Sequence, residues 1–265
     1  MSNIALEEYG DAIEDFNQVI KLNPENANAY AERGYSRNMI SEEAAAMEDC
    51  NTAIRLKPDL AEAYHVRGDI HFDLDDHASA IKDLDEAICL RSDYAQLYYK
   101  RGFVKGDMED YEAAIVDFDE AIRLKPDYAE AYCNRGLMKS ELEQYEAAIT
   151  DYNEAIRLKP EAGIFYFTRG LITATLVGEP NKDNIELYET VMADYDEAIR
   201  LEPDFMPAHF SLVATNAMLG REDAAEAALE QMFQFENPFI DTDDTEDIDT
   251  DMIEIIDIKD IEEEE

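Results

Sequence analysis

The sequence predicts an all-α fold in which helical hairpins stack into a solenoid. The dipeptide Arg-Gly recurs every 34 residues, at Arg33-Gly34, Arg67-Gly68, Arg101-Gly102, Arg135-Gly136 and Arg169-Gly170. Apolar residues follow the spacing of amphipathic helices, as at Tyr111, Ala114, Ile115 and Phe118. A proline, which stops a helix, closes most units, at Pro24, Pro58, Pro126 and Pro160. One hairpin cannot bury its own apolar face, so the units have to stack.

Other positions of the unit repeat with the same period. A tyrosine lies three residues before each arginine, at Tyr30, Tyr64, Tyr98, Tyr132 and Tyr166. Alanines recur where two helices have to approach closely, at Ala46, Ala80, Ala114 and Ala148. Aspartates recur in the second helices, at Asp49, Asp83, Asp117, Asp151 and Asp194. We expect the recurring arginines and aspartates to pair within the stack, and a column of anion-binding arginines is the alternative.

The period shifts once, after Pro160. The next matching proline is Pro203, nine residues late. The additional residues fall in a turn-rich stretch near 177–185, which contains Gly178 and Pro180. We interpret this stretch as a longer loop between the two helices of one hairpin.

This period and pattern resemble the tetratricopeptide repeat, over about residues 5–235. The sequence departs from the family pattern in three ways: tyrosine replaces the usual tryptophan, arginine replaces the leucine before the glycine, and the later tyrosine is absent. Arg37, His71, Lys105, Lys139 and Thr173 occupy that last position. The resemblance implies a right-handed superhelical solenoid whose first helices line a concave groove that holds a peptide.

The repeat divides the chain into consecutive segments. A lone helix at 5–26 resembles the second helix of a truncated repeat, and a divergent capping pair is expected at 207–235. Between them, full repeats are predicted at 27–60, 61–94, 95–128, 129–162 and 163–206.

The remaining segment, 236–265, carries fifteen acids and one base. Its composition predicts a disordered acidic C-terminal tail. A short motif that docks a partner, or that folds back on the solenoid, is the alternative. The spacing of its acids lacks the glycine and the final glutamate of an EF-hand, so no calcium site is predicted.

Composition excludes several classes of function. The net charge of −42 repels nucleic acid and anionic membranes and favours basic partners. The N-terminal residues lack the pattern of a signal peptide, and no apolar run is long enough to span a membrane. Three cysteines without metal-ligand spacing indicate free thiols in a reducing, cytoplasmic setting. No phosphate-binding loop or nucleophile motif occurs, so we predict no catalytic residue, no cofactor and no metal.

The resemblance also points to the residues that face the groove. These follow each repeat tyrosine directly or one helical turn later, at His65, Asp69, Tyr99, Phe103, Cys133, Leu137, Phe167 and Leu171. Aromatic anchors beside acids suit a basic or amphipathic segment of another protein. Packing between neighbouring first helices is the competing explanation for the same side chains.

We therefore predict a non-catalytic scaffold that binds a protein segment in the groove. Two alternatives stay open. One is a structural solenoid that forms a homo-oligomer through its terminal helices, on an apolar face at Ile13, Phe16 and Ile20. The other is an acidic protein that sequesters basic proteins through charge alone.

Overall fold

The computed structural model describes residues 3–181 and 183–236. These residues contain thirteen α-helices and no β-strand. The helices are α1 (Asn3–Leu22), α2 (Ala27–Met39), α3 (Glu43–Leu56), α4 (Ala61–Asp73), α5 (His77–Leu90), α6 (Ala95–Asp107), α7 (Tyr111–Leu124), α8 (Ala129–Glu141), α9 (Tyr145–Leu158), α10 (Gly163–Val177), α11 (Ile185–Leu201), α12 (Met206–Met218) and α13 (Glu222–Glu236). The predicted all-α solenoid is confirmed. The sequence predicts the acidic tail at 236–265; Glu236 is the last residue of α13, and residues 237–265 lie outside the described residues.

The helices pack in chain order, each against the one before and the one after it. The first helices α2, α4, α6 and α8 also contact one another in sequence. Among the described residues, no pair of second helices has comparable contact. The first helices therefore form the closely spaced, inner side of the stack, and the second helices form its outer side.

Tight turns join the helices within most hairpins. In four of these turns a non-glycine residue adopts a left-handed backbone conformation, with φ between 58° and 62°, at Ser41, Asp75, Glu109 and Glu143. Gly220, with φ of 67°, takes the corresponding place between α12 and α13. Glycine adopts this conformation without a steric penalty, whereas the four other residues do so at a modest cost.

The connection between α10 and α11 is longer and has its own hydrogen bonds. The buried amide of Asn184 donates to the carbonyl oxygens of Val177, at 3.4 Å, and Glu179, at 2.9 Å. The hydroxyl of Tyr188, at the start of α11, donates to the carbonyl oxygen of Gly178. These contacts tie the connection to the ends of both helices.

Glycine and alanine recur because the two helices of a hairpin touch closely. A Cβ atom on Gly102 would lie 3.1 Å from the ring of Phe118 and 3.2 Å from the carbonyl oxygen of Ala114. The side chain of Ala114 is itself fully buried. A larger residue at either position would push the helices apart.

The recurring arginines and aspartates form pairs, as predicted, and each pair also reaches the preceding hairpin. Arg101 donates from Nε and Nη2 to both carboxylate oxygens of Asp117, at 2.9 and 2.5 Å. Its Nη1 donates to Asp85 of the preceding second helix, at 2.6 Å. The same arrangement joins Arg33 to Asp49 and Asn17, Arg67 to Asp83 and Asn51, Arg135 to Asp151 and Asp119, and Arg169 to Asp194 and Asn153. We call these residues the ladder.

The ladder explains two features of the repeat. Each arginine lies over the tyrosine three residues before it, with the guanidinium 5.2 to 5.7 Å from the ring centre. In three of the five repeats, the position where the family tyrosine is absent supplies a second cation to the ladder aspartate, as Arg37 does at 2.8 Å from Asp49. Lys105 and Lys139 lie 2.7 Å from Asp117 and Asp151 respectively. Each ladder arginine therefore joins three helices, and its carboxylate partner is shielded from water.

Candidate protein-binding groove

The predicted groove residues lie on the first helices α4, α6, α8 and α10, in two rows. The inner row follows each repeat tyrosine directly and consists of His65, Tyr99, Cys133 and Phe167. The outer row lies four residues later and consists of Asp69, Phe103, Leu137 and Leu171. Four residues make about one helical turn, so both rows point to the same side of the helices.

The inner row is covered by the following hairpin. The ring of Tyr99 lies 4.8 Å, centre to centre, from that of Tyr128, and its hydroxyl accepts a 2.9 Å hydrogen bond from Asn134. The ring of Phe167 lies 5.1 Å from that of Phe205. Tyr128 and Phe205 are the residues directly before α8 and α12. The residue before each of these helices therefore covers the inner-row side chain of the hairpin preceding it.

Burial changes the proton affinities of the inner row. Loss of water contact raises the pKa of the Cys133 thiol to about 12 and lowers the pKa of His65. Asp69, whose carboxylate lies 3.6 Å from Nε2 of His65, partly opposes that lowering. His65 also meets the ring of Tyr94, edge to face, at 6.4 Å. These side chains contribute to packing between hairpins.

The outer row is open to solvent. The exposed fractions of Phe103, Leu137 and Leu171 are 43%, 39% and 43%. Asp69 differs from the other three because Lys100 forms an ion pair with its carboxylate at 3.2 Å. Three large apolar side chains thus lie partly exposed, at the same register, on consecutive first helices.

A pocket of about 220 Å³ opens beside the outer row, between α6 and α8. Its lining residues are Phe103, Gly106, Asp107, Phe118, Asn134, Leu137 and Met138. Only Phe103 and Leu137 of this set were predicted from the sequence. The signal that could have located the pocket is Gly106, a glycine inside a helix that does not belong to the repeat pattern.

An acidic row borders the outer row. Asp73, Asp107 and Glu141 recur at intervals of 34 residues, near the ends of α4, α6 and α8, and all three are exposed. His77 contacts Asp107 at 2.6 Å, and this hydrogen bond raises the pKa of His77. The nearby bases are already paired within the fold: Lys100 with Asp69, and Lys105 and Lys139 with ladder aspartates.

Within residues 3–181 and 183–236, no cluster of histidine, cysteine and acidic side chains is arranged to hold a metal ion. Over the same residues, no helix combines the length and the apolar character needed to cross a membrane.

The arrangement of the helices defines the class: a helical-repeat scaffold with its first helices on the inner side. A family model for the TPR repeat matches residues 4–38, 68–109 and 107–140, and a model for the tetratricopeptide repeat matches residues 129–161. The chain belongs to the tetratricopeptide-repeat family. Such a fold is a scaffold for protein–protein interaction, typically without catalytic activity, and proteins that have it bind other proteins.

Solved structures share this fold. YrrB, described as a TPR protein with an unusual peptide-binding site, is 21% identical, with 75% of this chain and 98% of that chain covered and a TM-score of 0.58. PilF of Pseudomonas aeruginosa is 15% identical over 80% of this chain and 92% of its own, with a TM-score of 0.67. MamA from Desulfovibrio magneticus RS-1 is 19% identical over 68% and 97%, with a TM-score of 0.57. A search of curated proteins gave no match.

Proposed function

We propose that this protein is a non-catalytic scaffold that binds a segment of another protein in its concave groove, through the outer row. The observation that carries the proposal is the set of exposed apolar side chains on consecutive first helices, Phe103, Leu137 and Leu171. Large apolar side chains that share one face and border a pocket are typical of a binding surface. The inner row supports the groove from below and is not part of the contact surface.

The charges around the outer row favour a basic or amphipathic segment. Asp73, Asp107 and Glu141 form its acidic border, and the lysines nearby already neutralise other carboxylates of the fold. The net charge of −42 adds a long-range attraction for cations. An apolar side chain of the partner, bound at the outer row, would supply affinity. The acidic border would favour partner segments with basic residues next to that side chain.

Self-association is the second candidate function, and apolar exposure on a terminal hairpin favours it. Phe210 and Met218 on α12 are exposed. Phe210 has the inner-row register, one hairpin after Phe167, yet it is left uncovered by the described residues. A second copy of the chain could cover it. Light scattering coupled to size-exclusion chromatography tests this: a monomer at high concentration contradicts self-association.

Capture experiments from host lysate test the groove. The baits are the full chain, the variant Phe103→Ala/Leu171→Ala, and the control Val116→Ala/Leu187→Ala. The control residues are exposed apolar side chains of α7 and α11, on second helices. We expect a partner that survives moderate salt, is retained by the control and is lost by the outer-row variant.

Two results would contradict the proposal. A partner captured equally by all three baits would show that the outer row does not bind it. Capture that disappears in moderate salt and ignores every variant would show binding through charge alone, because exposed charges are screened by salt.

A further inference from the structure

The pocket between α6 and α8 occupies a space that an aromatic ring fills one repeat earlier. Phe72 on α4 fills the equivalent space between α4 and α6, where its ring lies 5.5 Å from that of Phe103. One repeat later the same position is Gly106. The corresponding space, beside Leu137, is the pocket of about 220 Å³. Successive repeats carry Asn38, Phe72, Gly106, Ser140 and Ala174 at this position, and the glycine leaves the space between α6 and α8 open.

The size and lining of the pocket suit one apolar side chain. Its walls are Phe103, Phe118, Leu137 and Met138. Pockets for small molecules commonly measure about 300–1,000 Å³, so this pocket is small for such a ligand. Burying one leucine or phenylalanine side chain there would strengthen binding roughly ten- to a hundredfold.

The rim of the pocket carries negative charge. Asp107 lines the pocket, lies at the last residue of α6 and is exposed. His77 contacts one of its carboxylate oxygens, and the other oxygen has no hydrogen-bond partner among the described residues. Glu141 and Asp73 extend the acidic border to either side. A positively charged side chain would therefore be attracted to the position next to the apolar anchor.

We propose that the pocket takes a single apolar side chain, of leucine, methionine or phenylalanine type, from a basic segment of a partner protein, with a neighbouring lysine or arginine at Asp107. This inference rests on the proposed function, since it specifies one subsite of the same groove. The acidic border disfavours two other occupants. Residues 237–265 carry fourteen acids against one base, and a second copy of the chain carries the same net charge of −42.

The variant Gly106→Phe tests the pocket without removing a contact. A Cβ atom at Gly106 would lie 2.7 Å from Sδ of Met138, which is the flexible end of a long side chain and can move aside. Glycine is also a weaker helix former than phenylalanine. We therefore expect the melting temperature to be unchanged or raised. Gly106→Ala is the milder variant, used if the larger ring disturbs folding.

A phage-displayed library of short random peptides, selected on the full chain, supplies the probe. We expect the enriched peptides to combine one large apolar residue with nearby lysine or arginine. Their affinity should fall about tenfold or more in Gly106→Phe and several-fold in Asp107→Asn. The exposed control Val116→Ala, on the second helix of the same hairpin, should bind them as the unchanged chain does.

The outcomes separate this inference from the proposed function. Peptides that depend on Phe103 and Leu171 but bind Gly106→Phe equally well would overturn the pocket and leave the groove intact. Peptides that depend on neither would overturn both. Displacement of the selected peptides by a synthetic peptide of residues 237–265 would contradict a basic partner and assign the pocket to the chain's own C-terminal segment.

Discussion

The inner and outer rows lie four residues apart on the same helices, yet their side chains have opposite surroundings. Tyr99 and Phe167 pack against the residues that precede the next first helix, Tyr128 and Phe205. Phe103 and Leu171, one turn further along, meet no such residue and stay exposed. We propose that adjacent turns of one helix serve stability and binding. A substitution at each row should therefore change one property and spare the other.

The largest expected effect is on the ladder, which joins the helices behind the rows. Asp117 is 2% exposed and pairs with both Arg101 and Lys105. Asp117→Asn would leave Lys105 without its carboxylate partner and Arg101 with only the exposed Asp85, and should lower the free energy of unfolding by up to about 3–5 kcal/mol. Unfolding in urea, followed by circular dichroism, measures this change.

Asp85→Asn is the matched control for the ladder. Asp85 binds the same arginine through an exposed carboxylate. Its replacement should cost less than about 1 kcal/mol, as is typical of surface ion pairs. Equal losses for the two variants would mean that the shielded pair contributes no more than the exposed one.

A smaller loss is expected in the inner row. Phe167→Ala removes a ring that packs against Tyr195 and Phe205, with ring centres 5.9 and 5.1 Å away. Because Phe167 is only partly buried, we expect a loss of about 2–3 kcal/mol, below that of a fully buried phenylalanine. Thermal unfolding checks it, and an unchanged melting temperature would show that this row is not structural.

Thiol reactivity distinguishes the inner row chemically. Burial raises the pKa of both Cys50 and Cys133 to about 12, so little of either thiol is ionised near neutral pH, whereas Cys89 is exposed. A thiol reagent should modify Cys89 first and the other two slowly. All three should react at once in denaturant. Fast modification of Cys133 in the folded protein would show that the inner row opens readily.

The smallest expected effect is a pH dependence at the rim of the outer row. The hydrogen bond to Asp107 raises the pKa of His77 above its ordinary value of about 6.5. A raised pKa stabilises the folded state below about pH 6.5, and that contribution is lost as the pH rises through the raised value. His77→Ala should therefore lower the melting temperature more in mildly acidic buffer than well above neutrality, where only the contact of its ring with Phe72 is lost. The difference should be below about 1 kcal/mol, because the pair is exposed.

The repeat made most of the fold predictable. A period of 34 residues, five arginines and the aspartates one helix later predict the hairpins and the ladder pairs. The late proline, Pro203, indicates the additional residues, which the structure distributes over the connection between α10 and α11 and over these two helices, both longer than their counterparts. These features are local in sequence, or repeat often enough to reveal their partners.

The division of the groove into two rows was not predictable in the same way. It depends on which residue of the next hairpin covers each side chain, as Tyr128 covers Tyr99, and a helical pattern does not give that distance. The pocket likewise requires that Phe72 and Gly106 occupy equivalent spaces between first helices. The second cations of the ladder, Lys105 and Lys139, look like departures from the family pattern until their distances to the aspartates are known.

The central claim is that the outer row binds and the inner row stabilises. The most direct test of this claim uses the variants Phe103→Ala and Phe167→Ala. For each variant, the melting temperature is measured together with the affinity for a peptide that was selected on the full chain. We expect Phe103→Ala to lower the affinity about tenfold, with a smaller change in melting temperature than Phe167→Ala because, among the described residues, its ring meets only that of Phe72. Phe167→Ala should lower the melting temperature by about 5–10 °C and keep the affinity at low temperature. Unchanged affinity in Phe103→Ala, or weakened binding without lost stability in Phe167→Ala, would contradict the account.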